Sequence, residues 1–259
     1  MPERTSHKPG TLSWADLATT DQEGAKAFYG GLFGWEYEDV PVGEGQTYSM
    51  AKVGGRSAAA MATQQPGETA AGIPPHWNVY VTVEDVDAVS GSASDYGGTV
   101  LVGPFDVFDA GRMSVIAGPD GAVLCLWQPG TSIGAEVVNA PGALSWADTA
   151  TTDAEAAQGF YISLFGWDFD QMSEEPPYWV ISNHGRSNGG MTVPPPGVPS
   201  NWFPYFAVDD VDMAIEQARD AGGNPFLGPI DVPNSGRFAL IQDPQGAAFA
   251  VLSSANFDD

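Results

Sequence analysis

Apolar and polar residues alternate from Leu12 to Thr19, which predicts a strand with Trp14, Asp16 and Ala18 on one side and Ala15 and Leu17 on the other. Thr20-Asp21 ends it, and the period then changes. Ala25, Phe28, Tyr29, Leu32 and Phe33 recur at helical spacing. Asp21 is a good N-cap, Glu23 an acid in the first turn, and Gly34 stands where a left-handed residue ends a helix. Trp35 opens a new strand. The unit is strand, capped amphipathic helix, strand.

The same unit returns. Leu12–Trp35 reads LSWADLATTDQEGAKAFYGGLFGW, and Leu144–Trp167 reads LSWADTATTDAEAAQGFYISLFGW. Trp14 and Trp146 are 132 positions apart (146 − 14), and so are Phe33 and Phe165 (165 − 33). A repeat this long and this far apart means two copies of one domain, not a solenoid of short units. The expected domains are 9–130 and 141–255, joined by a linker from Pro129 to Gly142.

Within the first copy, short strands are expected at Trp35–Val40, Thr47–Val53 and Ser57–Thr63, with turns at Gly43-Glu44-Gly45 and Gly54-Gly55. Residues 64–75 read as a loop rich in Gly, Pro and Ala. His76–Val83 alternates, with Val79, Val81 and Val83 opposite His76, Asn78, Tyr80 and Thr82. A helix starts at Glu84-Asp85-Val86-Asp87, and strands follow at Thr99–Val107, Arg112–Ala117 and Ala122–Gln128. Each copy is therefore βαβββ twice over. In the second copy Asp209-Asp210-Val211-Asp212 starts the matching helix. Gly228-Pro229, Gly236-Arg237 and Gly246 match Gly103-Pro104, Gly111-Arg112 and Gly121 at an offset of 125 (228 − 103). The first ten residues read as a disordered lead-in.

The chain has 33 acids against 9 bases, a formal net charge of −24, which argues against nucleic acid or an anionic membrane surface as partner. One cysteine, Cys125, allows no intrachain disulfide. No apolar run is long enough for a membrane span, and the N-terminus lacks the apolar core of a signal peptide. A cytoplasmic location is expected.

Three motifs recur in both copies: TTD with FY and LFGW after a first strand, V-x-D/E-D-V-D after a fifth, and GR followed by a Gly turn before an eighth. Together they resemble the vicinal oxygen chelate superfamily, which includes glyoxalase I, bleomycin-resistance proteins and extradiol dioxygenases. The chain is most similar to two-domain actinobacterial glyoxalase-like members. The resemblance implies an α+β fold of four βαβββ modules, with sheets curled into U-shaped clefts, helices outside and ligands within. It also implies a divalent metal held by His, Gln or Glu on cleft-facing strands. In this sequence those positions fall on Trp14, Asn78 and Cys125, and on Trp146, Phe203 and Ala250. No metal or other cofactor is therefore expected.

Candidate chemistry centres on the cleft faces. Asp16 and Asp148 could act as bases or bind a cation; an ion pair with an arginine is the expected state, since buried carboxylates need partners. Arg56, Arg112, Arg186 and Arg237 each follow a glycine at a strand start, and Arg112 and Arg237 are expected at the clefts. Cys125 could be a nucleophile, although a free cysteine is more often a small buried hydrophobe. Trp14, Tyr48, Tyr80 and Trp127, with Met61 and Asn78, are expected to line the first cleft, and Trp146, Tyr178, Phe203 and Tyr205 the second. Such linings suit small aromatic or apolar ligands; the same rings could instead fill a closed core. The expectation is a monomeric, pseudo-dimeric small-molecule-binding protein. The rival is a lyase, isomerase, hydroxylase-like or cyclase-like enzyme using Asp16 or Cys125.

Overall fold

A computed structural model describes residues 3–43, 45–233 and 235–254; Glu44 of the expected turn and residue 255 of the expected second domain lie outside them. The first half comprises β1 (Leu12–Thr19), α1 (Gln22–Phe33), β2 (Glu36–Gly43), β3 (Gln46–Val53), β4 (Arg56–Thr63), α2 (Pro66–Ala70), β5 (His76–Thr82), α3 (Val86–Ser92), β6 (Thr99–Val107), β7 (Gly111–Ala117) and β8 (Val123–Pro129). The second comprises β9 (Leu144–Ala150), α4 (Ala154–Phe165), β10 (Asp168–Glu174), β11 (Pro177–Asn183), β12 (Arg186–Thr192), β13 (Asn201–Ala207), α5 (Val211–Asp220), β14 (Asn224–Val232), β15 (Gly236–Gln242) and β16 (Ala248–Ser253).

Each half forms one eight-stranded sheet, in the orders β2-β3-β4-β1-β5-β8-β7-β6 and β10-β11-β12-β9-β13-β16-β15-β14. These are the curled sheets of two tandem α+β domains. The local signals act as read. Asp21 caps α1 through its side chain, accepting from the Gly24 N–H, and Gly34 closes it at φ 68°. Asp153 and Gly166 do the same for α4. Ser13 is bulged out of the β1–β5 register, so that Trp14 and Asp16 stand opposite Tyr80 and Asn78.

The apolar faces pack across the two halves as well as within each half. One core joins Phe28, Tyr29 and Phe33 of α1 to Ala214 and Ile215 of α5 and to Phe206 and Phe249 of the second sheet. The other joins Phe160 and Tyr161 of α4 to Val79, Val81, Leu124 and Leu126 of the first sheet. The first βαβββ module thus shares a core with the fourth, and the second with the third. Trp35 donates its indole N–H to Gly142 O at 2.6 Å, and Trp167 donates to Gly10 O at 2.7 Å.

Two loop expectations are corrected. Residues 3–10 are not a disordered lead-in: Glu3 bridges to Val137, the Arg4 N–H donates to Glu136 O, and the Gly10 N–H donates to Thr82 O. The His7 ring, kept below the usual histidine range chiefly by burial, contacts Ala135 O. Loop 64–75 holds the short helix α2, with Pro66 in its first turn and a Gln65–Glu68 capping box. The linker is itself packed, with Ala135, Val137 and Ala140 buried.

Candidate functional site

Alternation puts Trp14 and Asp16 of β1 on the concave face of the first sheet, beside Ala60 of β4, Tyr80 of β5, and Cys125 and Trp127 of β8. Asp16 is 8% exposed. Its Oδ1 accepts from Asn78 Nδ2 at 2.9 Å, and its Oδ2 from the hydroxyls of Tyr48 at 2.9 Å and Tyr80 at 2.7 Å. The Trp14 indole N–H donates to the Tyr48 hydroxyl at 3.1 Å.

The second sheet repeats the cradle. Asp148 Oδ1 accepts from Trp146 Nε1 at 2.8 Å and the Tyr178 hydroxyl at 3.1 Å, and Oδ2 from the Tyr205 hydroxyl at 2.7 Å. Each concave face therefore carries one buried carboxyl ringed by a tryptophan and two tyrosines. Asn78 joins the ring in the first cleft; Phe203 has its place in the second.

The carboxyls are ringed by neutral donors. Burial pushes Asp16 above the usual carboxylate range, against the pull of Asn78, Tyr80, Tyr48 and the His76 charge. Asp148 is likewise raised by burial, against Tyr205, Trp146 and Tyr178. Burial and the neighbouring carboxyls also raise the phenols of Tyr80 and Tyr205. The expected arginine partners are elsewhere. Arg112 bonds Asp87 at 2.7 Å and Asp106 at 2.8 Å, and Arg237 bonds Asp212 at 3.1 Å and Asp231 at 2.7 Å, on the outer face. Each sits one residue before a cleft-facing side chain, Met113 or Phe238, and one strand position reverses the face. Arg56 pairs with Glu3, and Arg186 is exposed. Met61 also leaves the cleft: it is fully buried beneath α1.

The other expected residues, Trp14, Asp16, Tyr48, Asn78, Tyr80, Cys125 and Trp127, and Trp146, Asp148, Tyr178, Phe203 and Tyr205, share the two concave faces. The sequence reading missed the far walls. Phe105 pairs with Met113 and Val102 with Val115; Ile230 pairs with Phe238 and Leu227 with Leu240. Val102, Phe105, Leu227 and Ile230 are exposed, so both clefts have apolar rims. The offset of 125 (227 − 102, 230 − 105) was the available signal.

A family model described as "Glyoxalase/Bleomycin resistance protein/Dioxygenase superfamily" matches residues 11–126 and 143–251. The chain belongs to this superfamily. A Mycobacterium tuberculosis relative described as "Putative glyoxylase CFP32" is 46% identical, over 98% of this chain and 99% of its own. The Streptomyces peucetius "Anthracycline biosynthesis protein DnrV" is 34% identical, over 96% and 94%. Among solved structures, the Mn(II)-bound glyoxalase from Novosphingobium aromaticivorans shares the fold with a TM-score of 0.66 at 16% identity, over 97% of this chain and 85% of that one. The 2,3-dioxygenase LapB from Pseudomonas sp. KL28 shares it with a TM-score of 0.63 at 14% identity, over 96% and 94%.

The metal that membership in the superfamily implies does not fit the side chains present. The positions matched to metal ligands carry Trp14, Asn78 and Cys125, and Trp146, Phe203 and Ala250. Indole, phenyl and methyl groups offer no donor pair. Among the described residues, no three His, Cys, Asp or Glu side chains cluster. Asp16 and Asp148 already spend their oxygens on phenols, indole and amide. Burial, followed by the Asp16 charge, pushes the Cys125 thiol well up, which keeps it from the thiolate a metal or an electrophile would need. Among the described residues, no helix is long and apolar enough to cross a membrane.

Proposed function

We propose that this chain is a metal-independent small-molecule-binding protein of the glyoxalase/bleomycin-resistance type, taking aromatic or apolar organic molecules on its concave faces. One observation carries the reading: a buried carboxyl ringed by tryptophan and tyrosines, at the floor of a cleft with an apolar rim, built twice. Flat apolar walls with a few convergent polar groups are what such ligands require. The protein acts as a monomer whose two domains stand in for a dimer, with no nucleic-acid or membrane partner. Its one free thiol suits a reducing cytoplasm.

A second reading is an enzyme of lyase, isomerase or hydroxylase-like type. The raised Asp16 and Asp148 carboxyls favour it, because a neutral carboxylic acid at a cleft floor can donate a proton to a bound oxygen. The relatives' names, glyoxylase and anthracycline biosynthesis protein, are compatible with either.

Native mass spectrometry of the chain purified without an affinity tag tests the choice, run beside an assay of methylglyoxal–glutathione adduct with added divalent metal. A carried organic molecule without turnover supports the binder. Turnover that rises with metal and is lost on chelation overturns it.

A further inference from the structure

Part of the linker crosses one end of the first concave face as a strap. The Ala135 N–H donates to Ser13 O at 2.9 Å, at the β1 bulge, and the Glu136 N–H donates to Ser57 O at 2.8 Å, at the head of β4. The Glu136 carboxylate returns the contact, accepting from the Ser57 N–H at 2.8 Å. Trp127 is tied to the same segment, its indole N–H donating to Ser132 O at 3.0 Å. Ala135 is fully buried and packs into the cluster of Trp14, Tyr80, Cys125 and Trp127.

The N-terminal arm is the strap's second partner. Glu3 forms an antiparallel bridge with Val137, the Arg4 N–H donates to Glu136 O at 2.9 Å, and His7 Nε2 lies 2.7 Å from Ala135 O. Glu3 also pairs with Arg56, next to the Ser57 that holds Glu136. Ala135 is therefore the joint: its methyl group is in the concave cluster, its N–H is on β1, and its carbonyl is on the arm.

The strap has little apolar area to hold it. Its buried apolar side chains are Ala135, Val137 and Ala140, whereas both cores are packed with aromatic rings. Gly134 at φ 91° and Asn139 at φ 54° put a left-handed turn on each side of Ala135–Val138. A short segment fixed mainly by a few hydrogen bonds can open locally while the rest of the chain stays folded.

We propose that the strap is an autoinhibitory cover on the first concave face and that the N-terminal arm is its latch. Releasing the arm lets the strap lift, which frees Trp14 and Trp127 while both cores remain folded. The inhibitory role rests on the small-molecule-binding reading above and adds how access to one face is controlled.

Amide exchange and labelling of Cys125 with iodoacetamide, both on the full chain, test the latch. In His7→Ala, exchange at Ala135 and Glu136 and labelling of Cys125 should quicken at least tenfold. The urea midpoint and the exchange of amides in β5 and β8 should stay near those of the parent chain. His7→Gln, whose side-chain amide keeps a donor for Ala135 O, should restore the slow rates. Glu3→Ala, which loosens the other end of the arm, gives the same reading should the His7→Ala chain fail to fold. Unchanged rates in the folded variants overturn the latch. So does exchange that quickens in the strap, β5 and β8 together, in step with a loss of global stability. Neither readout uses a ligand, so a strap that stays down leaves small-molecule binding standing. A chain that binds nothing would leave a measured lifting in place and remove its inhibitory role.

Discussion

The indole N–H of Trp167 donates to the carbonyl of Gly10 at 2.7 Å, across 157 positions of sequence. Gly10 stands two residues before β1, at φ 80°, and Gly142 stands in the same conformation two residues before β9. Each half of the chain therefore pins the entry to the other's first strand. Trp167 is 1% exposed. Trp167→Phe keeps the ring packing but removes one of the two hydrogen bonds that the Gly10 carbonyl accepts, the other coming from Asn188 Nδ2 at 2.9 Å, so it should cost about 0.5–1.5 kcal/mol in urea denaturation. Amide exchange at Thr11 and Gly10 should quicken by more than the global loss of stability explains. Unchanged exchange would mean that the arm is held by Asn183 and Asn188 instead.

Stability should fall as pH rises from the ordinary carboxylate range toward neutrality. Burial raises the folded-state affinities of Asp16, Asp148 and Asp243 for protons. Between their unfolded and folded pKa values the native state holds more protons than the unfolded chain, so its stability declines with pH across that window. Below the unfolded value near 4 the contribution is fully present. His7, lowered by burial, works the other way: its share is present above the unfolded value and is lost as pH falls through it. Asp148→Asn should flatten the decline when thermal midpoints are followed from pH 4 to 8. A native chain that gains stability steadily over that range would contradict the direction given for these carboxyls.

Cys125 should behave as an inert core residue. It is 2% exposed, and burial with the nearby Asp16 charge raises its thiol. Its reaction with Ellman's reagent should be negligible in the native chain and complete in denaturant. Fast native labelling would revive the nucleophile reading.

Much of this architecture could be read before the coordinates. The alternation at Leu12–Thr19 put Trp14 and Asp16 on one face, and the capped run after Asp21 gave α1, because period and capping are local properties. The arginine expectation failed for a different reason. A buried acid needs partners, but its sequence does not say which; here phenols, an indole and an amide stand within hydrogen-bond reach, and Arg112 faces outward. Met61 was misplaced because Ala58–Met61 is apolar throughout, which erases the period that assigns a face. The ordered arm was legible in part: Pro9-Gly10 and Pro141-Gly142 extend the repeat upstream of the strand it was read from. What could not be read was the crossing of the cores, which depends on which helix meets which sheet.

That crossing predicts one cooperative unfolding transition for the whole chain. Residues 9–130 alone would expose the α1 face that Ala214, Ile215 and Phe249 cover. Expressed by itself, that half should either fail to fold or form a dimer in which each copy's first module covers the other's second. Calorimetry resolving two transitions, or a folded monomeric half at micromolar concentration by sedimentation, would refute the shared cores.

The same crossing gives the molecule a mechanical character. Each sheet is a plate fixed at one end to each core, and the carboxyl cradles sit along the middle seams, β1–β5 and β9–β13. A turn of one core against the other would have to change the curvature of both plates together, so the shapes of the two grooves are tied to each other.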